Sequence, residues 1–151
     1  MDNSINYKKQ MDSFVSNSSI GFIAGCWDLF HAGHVLSLRE AKYHCEYLIV
    51  GLHVNPAKER PSKNTPVQSL YERFIQLHSC EYVDSILPYE TEEELEQILK
   101  SQPIKIRFLG SDYLGKENLI TGYNIVPIHY IPRNHKYSSS ELRERIKLSN
   151  S

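Results

Sequence analysis

An α/β fold built on a doubly wound parallel sheet is what this 151-residue chain predicts, and three observations carry it. Apolar runs alternate with helix-like segments from residue 19 onward. Ser69-x-x-Glu72, Thr91-x-x-Glu94 and Ser138-x-x-Glu141 are helix-start signals, in which a hydroxyl and a carboxylate satisfy the orphan N–H groups of a first turn. The two loops richest in glycine and polar chemistry follow the first and fourth apolar runs, and ligands of such sheets bind beyond the carboxyl ends of the strands.

Taken in order, 20–24 reads as a buried strand, 34 to about 44 as a helix, and 47–53 as a second strand. A polar loop runs through Pro66, and a helix from Leu70 to about Cys80 follows its Ser69 cap. A short strand over 85–87, a helix ending near Lys100 and a strand over 104–109 continue the alternation. After an irregular stretch holding Gly115 and Gly122 come a strand over 125–130 and a last helix to about Leu148. Five strands alternating with helices imply a parallel sheet covered on both faces. If the first and fourth strands are neighbours, their following loops border one crevice.

Composition narrows the function. At 40% hydrophobic and 23% charged residues, the chain suits one globular domain over 19–151, with a polar tail over 1–18 that is assigned no chemistry. A net charge of -1 argues against broad binding to nucleic acid or to anionic membrane. Cys26, Cys45 and Cys80 are odd in number and widely spaced, no run is long enough to span a membrane, and the start lacks a signal-peptide core. A reducing, cytoplasmic setting is expected.

The turn after the first strand, Gly25-Cys26-Trp27-Asp28-Leu29-Phe30-His31-Ala32-Gly33-His34, carries the densest chemistry. His31 and His34 each offer a ring N–H to phosphate oxygens, Gly33 removes a side chain that would block the backbone, and the helix start adds free N–H groups and a positive dipole end. The pair also suits a plain helix cap, and Cys26, His31 and His34 together suit a metal. Asp28 reads as a loop former that bonds backbone N–H groups. Lys58 and Lys63 lie in the polar loop, and Lys63 is the preferred candidate to reach a phosphate.

That turn resembles the signature Gly-x-Phe-Asp-x-x-His-x-Gly-His of the cytidylyltransferase-like nucleotidyltransferases, with Trp27 in place of the Phe and Cys26 where Thr is common. The likeness covers about residues 19–146 and is strongest to the glycerol-3-phosphate cytidylyltransferases. Glu72 and Arg73 are similar to the family's Glu-x-Arg helix, and Tyr82-Val83-Asp84 to its Tyr-Val-Asp. Gly110-Ser111-Asp112-Tyr113 is similar to its Gly-Asp-Asp-Trp loop. In the closing element Arg-Thr-Glu-Gly-Ile-Ser-Thr, Arg133, Ser138 and Ser139 keep the frame, while Asn134, His135 and Lys136 replace Thr, Glu and Gly.

The resemblance implies a Rossmann-like sheet and transfer of CMP from CTP to a small phosphorylated alcohol, with release of pyrophosphate. It gives catalytic roles to His31, His34, Lys63 and Arg133. Gly25, Cys26, Trp27, Gly33, Gly110, Asp112, Ser138 and Ser139 fall on its nucleotide side, and Asp28 and Arg73 on its acceptor side. Mg²⁺ accompanying the triphosphate, without a confident side-chain ligand, and a homodimer are implied as well. An adenylyltransferase using ATP and a nucleotide-binding protein without catalysis are the competing expectations. A shortened aminoacyl-tRNA synthetase core is excluded by chain length and by the lack of Lys-Met-Ser-Lys-Ser.

Overall fold

A computed structural model describes residues 19–150, so the tail over 1–18 lies outside the described residues. Five parallel strands form one sheet: β1 (Ile20–Gly25), β2 (Tyr47–His53), β3 (Ser85–Tyr89), β4 (Ile106–Gly110) and β5 (Ile128–Ile131). Their spatial order is β3-β2-β1-β4-β5. Chain direction across the sheet reverses between β1 and β4, which are paired through Gly21, Phe22 and Ile23. The crevice for a ligand is therefore where these two strands end.

Alternation along the strands builds a core on each face. Leu48, Val50 and Leu52 of β2 pack with Leu38 and Ala41 of α1 (Ala32–Tyr43) and Leu77 of α2 (Leu70–His78). On the opposite face, Ile20, Phe22 and Ile49 pack with Leu95 and Leu99 of α3 (Glu92–Ser101). Helix α4 (Ser139–Ser149) buries no residue fully, so it docks by polar contacts. The three hydroxyl caps form: Ser69, Thr91 and Ser138 accept from the N–H groups of Glu72, Glu94 and Glu141.

Three strands shift from the sequence reading, β4 starting at Ile106 with the Ile104 N–H spent on Gln102 O. β3 runs two residues further, through Pro88, because it is an edge strand where a missing N–H does not break a ladder. β5 starts later, at Ile128. Ile125 closes a turn on the Gly122 carbonyl, Val126 buries into the α3-side core, and Pro127 contributes only its carbonyl, to the N–H of Arg107.

Candidate active site

The turn between β1 and α1 is held from three sides. Trp27 and Leu29 adopt left-handed backbone conformations, φ 57° and 51°, which only specific tethers maintain in non-glycine residues. The Trp27 indole N–H donates to Gly51 O at 3.0 Å, and Gly25 lacks the Cβ that would come within 3.1 Å of that ring. Asp28, buried, accepts from the N–H groups of Val67 (2.8 Å) and Gln68 (2.9 Å) and pairs with Arg143 of α4 at 2.9 Å. The loop-former reading of Asp28 matches this geometry. Its carboxylate is committed to the protein, which leaves it no free oxygen pair for an acceptor.

His31 is the N-cap of α1, its Nδ1 accepting from Gly33 N at 3.0 Å, while His34 Nδ1 accepts from His31 N at 3.2 Å. The rings stack with centroids 3.8 Å apart. A neutral imidazole that accepts through Nδ1 carries its proton on Nε2, so the cap fixes both tautomers as Nε2–H donors. Burial, then the neighbouring His31, pushes the His34 pKa down to about 3. Burial, then His135 and Arg133, lowers that of His31. Both rings are uncharged at neutral pH. In His34 helix capping uses Nδ1 and leaves Nε2–H for a phosphate in the cleft, so the two readings are compatible there, whereas the His31 Nε2 is engaged by Ser139 and that ring does not line the cleft.

His31 Nε2 lies 3.3 Å from Ser139 Oγ, which donates in turn to Asp28 O at 3.2 Å. With the proton on His31 Nε2, the hydroxyl accepts from the ring and passes its own proton to the carbonyl. One file of bonds thus ties α4 to the β1–α1 turn.

A cleft of about 460 Å³ opens beside this turn. Gly25, Cys26, Trp27, Asp28 and His34 line it from the β1 side, Gly110 and Asp112 from the β4 side. Lys63, Arg133 and Ser139 also face it. Lys63 further lines the two adjoining cavities, and Lys58 lines none of the three. Cys26 is a protonated thiol, its pKa raised by burial. It does not converge with His31 and His34 into a metal cluster among the described residues. For Mg²⁺, Asp112 is the carboxylate in the cleft that has no side-chain partner among the described residues, and one carboxylate with substrate phosphates and waters is a set that this ion accepts.

Three expectations need correction. Arg73 is 2% exposed, and its guanidinium donates to five backbone carbonyls: Gln68, Ser69, Cys26, His53 and Val54. It is a strut joining α2, the β1 turn and the end of β2, with no donor aimed at an acceptor phosphate. Ser138 lines none of the cavities, its hydroxyl being spent on the α4 cap. Gly33 does permit a close approach, but by the chain itself: a Cβ there would meet His31 Cε1 and Tyr137 O at 2.9 Å and His135 Cε1 at 3.0 Å.

Two residues beside the site escaped the sequence reading. His135 faces His31 across Gly33, and its Nδ1 accepts from Tyr137 N at 3.1 Å, so this ring too presents an Nε2–H when neutral. Its signal was the replacement of the family's Glu. Arg143 sits four residues after Ser139, on the same helix face, and that spacing was the available clue.

The family model for cytidylyltransferase-like proteins matches residues 22–145. The chain belongs to the cytidylyltransferase-like family. Among its relatives, the bifunctional protein HldE of Campylobacter jejuni is 33% identical over 134 residues, covering 87% of this chain and 28% of that protein. The ethanolamine-phosphate cytidylyltransferase of Dictyostelium discoideum is 32% identical over 112 residues, covering 72% of this chain and 31% of that one. The probable ethanolamine-phosphate cytidylyltransferase of Encephalitozoon cuniculi is 47% identical over 70 residues, covering 45% of this chain and 22% of that one. The chain thus spans less than a third of the length of these relatives. A lipopolysaccharide core biosynthesis protein from Thermoplasma volcanium shares the fold, with a TM-score of 0.61, 20% identity and coverage of 81% of this chain and all of that one. This cytidylyltransferase-like domain has no helix, among the described residues, long and apolar enough to cross a membrane.

Proposed function

We propose that the protein transfers CMP from CTP to the phosphate of a small phosphorylated alcohol. The carrying observation is His34, stacked on the capping His31 and fixed as a neutral Nε2–H donor, in a cleft that Lys63 and Arg133 also line. An oxygen of the acceptor phosphate attacks the α-phosphorus, the new P–O bond forms as the α–β bridging bond breaks, and its electron pair leaves with pyrophosphate. The attacking oxygen is already anionic, so the protein need only align the two anions and neutralise the charge that builds between them.

In this reading His34 donates its Nε2–H to the phosphates, and His31, linked through Ser139, holds the neighbouring position. Lys63 and Arg133 supply mobile positive charge, and Asp112 would hold Mg²⁺ through its waters. When bound, the ion shields the phosphate oxygens. A homodimer in the cytoplasm belongs to the same proposal, its size readable by light scattering. An adenylyltransferase using ATP is the second reading, favoured by the segment 134–137, where this chain departs from the cytidylyltransferase pattern beside His31.

The test is a pyrophosphate-release screen crossing the four nucleoside triphosphates with phosphorylated alcohols and sugars. The His34→Ala variant is expected to lose about 10²- to 10³-fold in turnover while staying folded. Normal turnover in that variant overturns the mechanism, and CTP binding without pyrophosphate release overturns catalysis.

A further inference from the structure

A second cavity, of about 190 Å³, adjoins the nucleotide cleft on the α3 face of the sheet and shares Gly25, Cys26, Lys63 and Tyr113 with it. Its wall includes Arg107, a charged residue inside β4 that is 3% exposed. One Nη of Arg107 donates to Thr121 O, and its Nε, itself fully buried, has no partner among the described residues. Buried polar groups are seldom left unpaired, because the hydrogen bonds to water given up on folding must be replaced. A guanidinium on a cavity wall with a single carbonyl partner keeps donors that a ligand in the cavity can take up.

The rest of the wall tells which ligand. Arg60, Lys63 and Arg107 bring positive charge, against the single carboxylate of Glu92. That carboxylate is already paired, Oε1 with Arg60 at 3.1 Å and Oε2 with the Thr121 hydroxyl at 2.6 Å. His53 is kept neutral by burial and stacks on Tyr89 at 4.6 Å, and burial keeps the Tyr89 phenol protonated. An ammonium group would meet cations and an occupied carboxylate, and of the two tyrosines in the wall, Tyr89 and Tyr113, the first has its face covered by His53. A neutral chain of hydroxyls would meet donors and acceptors on several sides.

Resting on the transferase reading above, we propose that this cavity receives the organic half of the acceptor and selects a polyhydroxylated phosphate, that of a polyol or sugar, over an amino-alcohol phosphate. The Arg107 guanidinium donates to an acceptor hydroxyl, and the acceptor phosphate lies at the shared rim by Lys63. Arg107 is then a specificity residue outside the nucleotide site.

The experiment has two arms on the full chain. In the first, pyrophosphate release is measured with CTP or ATP and glycerol phosphate, a pentitol phosphate, a hexose phosphate, phosphoethanolamine or phosphocholine. The expected kcat/KM is at least about tenfold higher for a polyhydroxylated acceptor, and Arg107→Lys raises the KM for that acceptor about tenfold while leaving the KM for the nucleotide unchanged. In the second, the arginine Nε–H resonances of the unaltered protein are followed by NMR as the same compounds are added without nucleotide. A buried Nε–H should shift with a polyhydroxylated phosphate and not with phosphoethanolamine. Preference for an amino-alcohol phosphate, or Nε–H resonances indifferent to every acceptor, overturns the proposal. If no pair releases pyrophosphate, the transferase reading fails, and the NMR arm still decides the pocket.

Discussion

Acidification should destabilise this protein through His34 in a way that a single substitution isolates. The ring has a pKa of about 3 in the folded protein, against about 6.5 when unfolded. Because the folded value is the lower one, its contribution to stability is full above about pH 6.5 and is lost as pH falls towards about 3. Each pH unit in that window costs about 1.4 kcal/mol, so between about pH 7 and about pH 4.5 the loss from His34 amounts to about 2 to 3 kcal/mol. His34→Asn keeps a carbonyl oxygen for the His31 N–H and removes the titration. Urea denaturation across that range should show the wild type losing about 2 to 3 kcal/mol more than the variant, since the carboxylates common to both cancel. Parallel losses within about 0.5 kcal/mol would refute the buried, neutral donor on which the phosphate chemistry rests.

Arg73→Met should cost about 3 to 5 kcal/mol by urea denaturation, because five carbonyls lose a charged donor, with no rise in acceptor KM for the molecules that remain folded. Ser139→Ala removes the acceptor of His31 Nε2–H and the donor to Asp28 O, bonds of about 1 kcal/mol each, so the melting temperature should fall by at least about 2–4 °C and kcat about fivefold in pyrophosphate release. His135→Glu, which restores the family's residue, should raise the pKa of His31 and weaken triphosphate binding about tenfold; NMR titration of the ring and calorimetry read the two effects. Gly33→Ala should cost about 1 to 3 kcal/mol or displace the segment 135–137, a difference that amide NMR would report at Tyr137.

The contiguous signals were legible because each depends on neighbours in sequence. The Ser69, Thr91 and Ser138 caps, the bounds of β2 and the histidine turn all follow from spacing alone. Ile125 and Val126 looked like strand because apolar residues at that spacing fit either a strand or a buried turn, and Pro127 decided between them. Arg73 was misplaced for another reason. Whether an arginine on an amphipathic helix faces a ligand or the carbonyls of a distant strand end depends on how β2 and the β1 turn meet, which no local pattern encodes. Arg107 and Arg143 needed the same knowledge.

The left-handed pair Trp27 and Leu29 bears on how the cleft meets its ligand. A glycine-rich phosphate loop is supple and stiffens around its anion, so part of the binding free energy goes into ordering it. Here the curvature is imposed by an indole wedged against β2 and a carboxylate clamped from α4 and the residues before α2. The mould is set before the triphosphate arrives. Entry should therefore depend on diffusion and on the reach of Lys63, with little rearrangement of the turn, and exchange protection of the Leu29 amide should be the same with and without nucleotide.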